Sequence, residues 1–220
     1  MAPSPFALPF ERLPATLPIF PLPHAIVMPG CQLPLNIFEP RYLNLVFDAL
    51  GAERLIGMVQ PDPTAPHKEA VYATGTAGRI VSFGETPDGR LLIVLAGVCR
   101  FDIREEIPTV RGYRRVLVDW SRFRQDLDTP GEAGGGYDRL RLMALLKEYL
   151  QRKGVEINWT NLEQIPSPLL VNVLAGQLPF DVPERQALVE AVTPEERMAK
   201  LASLLEFDVV GTVATNGRRH

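Results

Sequence analysis

Catalytic chemistry has little to work with in this chain. Its 220 residues include only two cysteines, Cys31 and Cys99, and three histidines, His24, His67 and His220. The cysteines lie far apart, lack CxxC spacing and join no histidine in a zinc pattern. They read as small apolar core residues of a protein kept in a reducing compartment. Cys31 and His24 could pair as nucleophile and base, but no third, orienting group accompanies them, so a structural thiol is the better reading. No Gly-Lys dipeptide occurs, so the phosphate-cradling loop with its lysine is absent. Long apolar runs are missing too. The longest, Leu91 to Cys99, is about half the length a membrane helix needs. The opening segment MAPSPFALPFERLPATL has no basic region and no long apolar core, unlike a secretory signal. A cytoplasmic location is expected for a bacterial source, with no cofactor and no metal. Finally, basic excess is lacking. The net charge of −3 and a pI of about 5.7 argue against a general nucleic-acid binder.

What the chain does have is proline, 21 in all. Five of them, Pro18, Pro21, Pro23, Pro29 and Pro34, fall within Leu17–Pro34. Proline fixes φ and donates no hydrogen bond, so this stretch is not helical. Its apolar residues are too many for a solvated linker. Short strands and rigid turns are expected over Leu17–Phe20 and Gln32–Phe38, with turns at Pro21–Pro23 and Met28–Gly30. A helix should open at Pro40 and run to Leu50, with Tyr42, Leu43, Val46, Phe47 and Leu50 on one face. Gly51 should follow as the residue after its last turn.

Strand patterns follow at Leu55–Val59, Val71–Phe83, Arg90–Ala96, Cys99–Ile107 and Tyr113–Trp120. Pro87-Asp88-Gly89 is a hairpin turn, and Gly97 marks a bulge or bend. The continuous run Leu91–Leu95 reads as a strand buried on both faces. Beyond Gly97, Phe101 and Ile103 share one face while Arg100, Asp102 and Arg104 take the other. Tight connections predict a mostly antiparallel barrel or sandwich without a βαβ unit. The composition then shifts. Phe123–Gly136, with Gly134-Gly135-Gly136, reads as a flexible connector. Helices are expected over Tyr137–Lys153 and about residues 168–177, 183–191 and 194–208. Asp181-Val182-Pro183-Glu184 and Thr193-Pro194-Glu195-Glu196 carry capping-box spacing. Residues 1–15 read as a loose arm and Gly211–His220 as a frayed tail. The fold class is α+β: a β-rich part over residues 15–122, a linker over 123–136 and a helical part over 137–210.

LPIFPLP from Leu17, then Met28-Pro29-Gly30, then LPLNIFEPRY from Leu33 to Tyr42 resemble the N-terminal domain of the Lon ATP-dependent protease family. Gly57-Met58-Val59, Gly75-Thr76-Ala77 and Gly97-Val98-Cys99-Arg100-Phe101 resemble later blocks of that family in the same order. The resemblance covers roughly residues 17–210. It implies a PUA-like pseudo-barrel lobe followed by a helical bundle, and a role in binding unfolded or tagged polypeptide. With neither the ATPase loop nor the Ser–Lys peptidase of a full Lon in view, the chain reads as a stand-alone form.

Several residues are candidates for contact with a ligand. Phe38, Arg41, Tyr42, Phe47 and Met58 would line a peptide groove between the two lobes if left exposed. Glu39 and Arg41 can equally be a structural pair at the strand–helix junction. Arg111, Arg114, Arg115, Arg122 and Arg124, interleaved with Tyr113, Trp120 and Phe123, suit single-stranded nucleic acid, although the aromatics also fit a core strand. The expected function is a non-enzymatic polypeptide-binding module, an adaptor in protein quality control whose partners are unfolded or exposed segments and a protease or chaperone. A PUA-like nucleic-acid binder is the alternative.

Overall fold

In a computed structural model describing residues 8–67, 69–128, 138–155 and 159–216, six strands form one sheet that closes on itself. They are β1 (Thr16–Pro21), β2 (Gln32–Ile37), β3 (Leu55–Val59), β4 (Thr74–Glu85), β5 (Leu91–Ile107) and β6 (Arg114–Asp119), with helix α1 (Pro40–Leu50) before β3. The order is β2-β5-β4-β3-β1-β6, and a further β5–β6 pairing closes a ring. The 17-residue β5 makes closure possible. Its first half pairs with β2 and its second half with β6, while β4 runs along both. The two expected strands on either side of Gly97 are therefore one bent strand.

The bend has a visible cause. Ala77 faces Cys99 but Gly78 faces Gly97, so Val98 is the extra residue of a bulge. A Cβ on Gly97 would lie 2.2 Å from the Met28 carbonyl oxygen. The Gly97 N–H donates to the Cys31 carbonyl at 2.9 Å, and the Gly97 carbonyl accepts from Gly30 at 3.1 Å. Only glycine admits so close a backbone crossing.

Three features of the β part depart from the sequence reading. First, β1 and β3 are parallel neighbours, connected through β2 and α1, so a crossover unit exists where none was expected. Second, Leu91–Leu95 is not buried on both faces: Leu91, Ile93 and Leu95 are buried but Leu92 is half exposed. The outer face of β2 and β5 meets solvent there, and an antiparallel sheet tolerates this. Third, Phe123–Gly136 does not begin as a flexible connector. Ser121–Leu127 forms a 3-10 helix with Phe123 fully buried; residues 129–136 lie outside the described residues.

Helix α1 opens as its prolines require, with Pro40 at the first turn and Glu39 preceding it. It buries Tyr42, Leu45, Val46 and Ala49 against the sheet. Each large apolar side chain so buried contributes about 1.5–3 kcal/mol. Gly51 ends the helix in a right-handed conformation, and Arg54 takes the positive φ of 62° instead.

The helical part contains α2 (Arg139–Lys153), α3 (Trp159–Glu163), α4 (Ser167–Gln177), α5 (Val182–Glu190) and α6 (Pro194–Asn216). The short α3 was not anticipated. Residues 211–216, expected as a frayed tail, continue α6, while residues 217–220 and 1–7 lie outside the described residues. At α5 the Glu184 carboxylate accepts from the Asp181 N–H at 2.8 Å, as a capping box requires. At α6 the Thr193 hydroxyl accepts from Glu196 N–H, but the Glu196 carboxylate reaches back to Val192 rather than Thr193. The core of this part is not closed by helices alone. Ile26 and Met28, from the proline-rich stretch, sit among Leu146, Leu170, Leu174 and Leu201.

Candidate functional site

Buried polar contacts cross the junction between barrel and helices. Arg100, placed by its alternation on the outer face of β5, is fully buried there. Its Nε and Nη2 donate to the two Asp126 carboxylate oxygens at 2.8 and 2.7 Å. Nη1 donates to the carbonyls of Val189, at 3.0 Å, and Ala191, and Nη2 donates to that of Val192 at 3.0 Å. All five guanidinium N–H groups are thereby used, and the plane stacks over Phe123 at 4.3 Å. Nearby, Gln60 Nε2 donates to Val182 O and Gln186 Oε1, both at 3.1 Å. Asn172 donates to the Pro29 carbonyl at 2.9 Å and accepts from Arg197 at 2.8 Å. Buried polar pairs and Met28 thus lie at the boundary where the sequence suggested an inter-lobe peptide groove.

Among the described residues, one concave surface lies on the barrel, beside the start of α1. A recess of about 510 Å³ is lined by Pro21, Tyr42, Val71, Tyr113 and the arginines Arg41 and Arg114. Local chemistry builds each wall. Pro40 sets the helix start, which places Arg41 and Tyr42 one and two residues on. The Tyr42 ring packs on Phe20 with centroids 4.1 Å apart, and the Arg41 guanidinium lies 4.6 Å from the Tyr42 centroid. An isolated bridge between Pro61 and Val71 closes the β3–β4 loop alongside. The β5–β6 turn forms the opposite wall. It is fastened to α1 by Arg111, which donates to both Asp48 oxygens at 3.0 and 2.9 Å, and by the Tyr113 hydroxyl, which donates to Asp48 at 2.7 Å. Beyond Tyr113 a second recess of about 450 Å³ is lined by Asp48, Glu53, Leu55 and Arg115.

Charges in the first recess are unequally engaged. Arg114 donates to both Glu106 oxygens at 2.9 and 2.7 Å and to the Glu69 carbonyl at 2.8 Å, and it holds the Glu106 carboxyl below its ordinary range. Arg41 pairs with Glu39 at 3.0 Å, and both side chains are about half exposed. Tyr42 is 7% exposed, and burial pushes its phenol pKa up.

Of the residues singled out in the sequence, the structure brings Arg41 and Tyr42 to this recess. Phe38 and Phe47 are exposed but lie outside it. Met58 is 3% exposed and belongs to the core under α1, which removes it from any contact surface. Tyr113, Arg114 and Val71 complete the walls, and no local pattern marked them for that role. Burial pushes the thiols of Cys31 and Cys99 up to about 11 and about 12, opposite to what a nucleophile needs.

The arginine series is largely neutralised. Arg111 pairs with Asp48, Arg114 with Glu106, Arg122 with Asp102 and Arg124 with Glu11, while Arg115 donates to the Thr16 hydroxyl. Phosphate binding needs cations whose counter-ions are released on contact, and Arg111, Arg114, Arg122 and Arg124 have resident carboxylates.

A closed barrel, a docked helical bundle and a surface recess define an α+β architecture whose concave surface lies on the barrel. A family model described as the ATP-dependent protease La (LON) substrate-binding domain matches residues 16–206. The Lon protease of Flavobacterium johnsoniae is 32% identical over 193 residues, which cover 85% of this chain and 23% of that protein. The Lon protease of Dictyoglomus thermophilum is 26% identical over 210 residues, 89% of this chain and 25% of that protein. The chain thus spans about a quarter of the length of these curated relatives. A Lon N-terminal domain protein from Xanthomonas campestris, solved by crystallography, superposes with a TM-score of 0.62 at 26% identity, covering 86% of this chain and 97% of that one. The N-terminal domain of a Mycobacterium avium complex Lon protease shares the fold, with a TM-score of 0.59 at 18% identity. The chain belongs to the Lon substrate-binding domain family. Among the described residues no helix is long and apolar enough to cross a membrane.

Proposed function

We propose that this protein is a non-enzymatic, cytoplasmic module that binds exposed segments of unfolded polypeptide and serves protein quality control beside a protease or chaperone. The observation that carries the reading is the recess at the start of α1. It sets apolar side chains (Pro21, Val71, Tyr42, Tyr113) beside the charged Arg41, Glu69 and Arg114 on an open surface, which suits a segment of extended polypeptide carrying both polar and apolar side chains. Membership in a substrate-binding family supports it. Phe38 and Phe47, 60% and 50% exposed, are accessory contacts on the same lobe.

The test is fluorescence anisotropy with a permanently unfolded polypeptide, reduced and alkylated α-lactalbumin. Binding is expected on the micromolar scale and unchanged by ATP. Phe47→Ser should weaken it without moving the unfolding midpoint. Met58→Ala should instead cost about 2–5 kcal/mol of stability, the usual effect of emptying a core position. Absence of binding to a panel of unfolded chains would remove the proposal.

A further inference from the structure

We propose that the free edge of β4, over residues 81–85, takes an extended segment of unfolded polypeptide as an added strand. This deepens, and rests on, the polypeptide-binding reading above.

The sheet closes into a ring, yet β4 outlasts its neighbour on one side. β3 pairs with β4 only as far as Leu55 opposite Arg79, and the next N–H, that of Ile80, donates to the Arg54 carbonyl at 2.8 Å. Val81 is then the extra residue of a bulge, and from there to Glu85 the strand pairs with β5 alone among the described residues. The ladder fixes which backbone groups are left over. The Thr86 N–H donates to the Arg90 carbonyl at 3.0 Å, and Leu92 and Val94 face Gly84 and Ser82 in the same register. Antiparallel pairs alternate, so Gly84 and Ser82 exchange hydrogen bonds with β5, while Phe83 and Glu85 turn their N–H and C=O groups the other way. The bond from the Gly97 N–H to the Cys31 carbonyl gives β5 the complementary parity, with Leu91, Ile93 and Leu95 bonded to β2.

The two open edges of this region differ. On β2 the outward position between Gln32 and Asn36 is Pro34, which has no N–H to offer a further strand. Residues 81–85, Val-Ser-Phe-Gly-Glu, carry no such block. Their large apolar side chains, Val81 and Phe83, are 54% and 39% exposed. Unpaired backbone donors and acceptors at strand spacing are matched in full by another extended backbone. Such an edge reads no sequence, as a binder of unfolded chains requires, and Val81 and Phe83 favour apolar neighbours on the incoming strand. The edge is also short. Five residues span about 17 Å, too little for two folded barrels to bury the roughly 800 Å² per partner of a stable pair. A single extended chain needs no more than the edge itself.

The test follows amide exchange by NMR in the full chain with reduced and alkylated α-lactalbumin added. The Phe83 and Glu85 amides should exchange about tenfold more slowly with the unfolded chain bound, and the Gly84 and Ser82 amides, already bonded to β5, should change far less. Phe83→Ser and Phe83→Pro both remove the ring, and only the second removes the outward N–H. Proline should weaken binding about fivefold more than serine, the effect of one hydrogen bond. Edge positions whose N–H faces solvent accept proline, so the Phe83→Pro barrel should fold; if it does not, amide exchange in the unchanged protein decides. Unprotected Phe83 and Glu85 amides with α-lactalbumin bound overturn the proposal and leave the polypeptide reading standing, as does equal weakening by serine and proline. Absence of α-lactalbumin binding removes both. Protection that rises with protein concentration alone, together with a dimer in sedimentation velocity, gives the edge to a second copy and overturns the proposal as well.

Discussion

Arg100 on β5 and Asp126 in the 3-10 helix form a two-pronged ion pair sealed from solvent, with side chains 1% and 7% exposed. The pair holds a third element: the remaining N–H groups of Arg100 donate to the carbonyls of Val189, in the last turn of α5, and of Ala191 and Val192, between α5 and α6. One charged residue of the barrel therefore joins the contacts of Gln60 and Pro29 in holding the helical part.

Removing one partner from this pair should be costly. Asp126→Ala leaves a buried guanidinium without its carboxylate and should lower stability by about 3–5 kcal/mol. The double variant Arg100→Met, Asp126→Leu should be milder than Asp126→Ala, because no charge is left stranded. Urea unfolding midpoints of the two variants check this, and a double variant as unstable as the single one would contradict it.

Gly97 should tolerate no side chain. Any Cβ there meets the Met28 carbonyl oxygen at 2.2 Å, and Met28 is fully buried in the helical core. Gly97→Ala should therefore disturb barrel and helices together and cost more than about 3 kcal/mol, at the high end for a point substitution. Gly84, on the neighbouring strand, has open space around it, and Gly84→Ala should change stability by less than about 1 kcal/mol. Thermal unfolding of the two alanine variants gives the comparison.

The thiols should make stability fall at alkaline pH. Burial raises Cys31 from 9.0 to about 11 and Cys99 from 9.0 to about 12, and Asp126 adds to the rise at Cys99. A group whose folded pKa exceeds its unfolded value contributes its full stability below the unfolded pKa and loses it as pH rises through the folded one. The loss should thus run from about pH 9 upward, and Cys99→Ser, Cys31→Ser should flatten that limb of the stability profile. At pH 8 a thiol reagent should react slowly with the folded protein and rapidly with the unfolded one. The partly exposed Cys31 should react ahead of the buried Cys99.

Local signals were legible wherever a residue dictates its own backbone. Pro40 opens α1, Glu184 caps α5, and Pro87-Asp88-Gly89 turns β4 into β5, each as its residues require. What failed to read needed knowledge of what lies above a strand. The face of Arg100 was legible from alternation, but so was that of Arg104, which is exposed. Only the docking of α5 and α6 separates them. Leu92 belongs to an apolar run and still faces water, because nothing in that run reports that the outer sheet face is uncovered there. Phe123 and Asp126 sat in a segment polar enough to pass for a linker, and both are built into the lobe junction.

The recess divides in the same way. Arg41 and Tyr42 stood out because they follow a proline at a strand–helix junction, whereas Tyr113, Arg114 and Val71 reach them only through the β5–β6 turn and the Pro61–Val71 bridge. The sequence by itself determined the family, the α+β class and the element order, because proline, capping residues and hydrophobic period act within a few bonds. The tertiary structure decided which charges are buried, which apolar residues meet water and where the chain offers a concave surface. Those outcomes depend on contacts between segments up to 143 residues apart, and the loop-closure entropy that opposes them is overcome only when the whole fold forms.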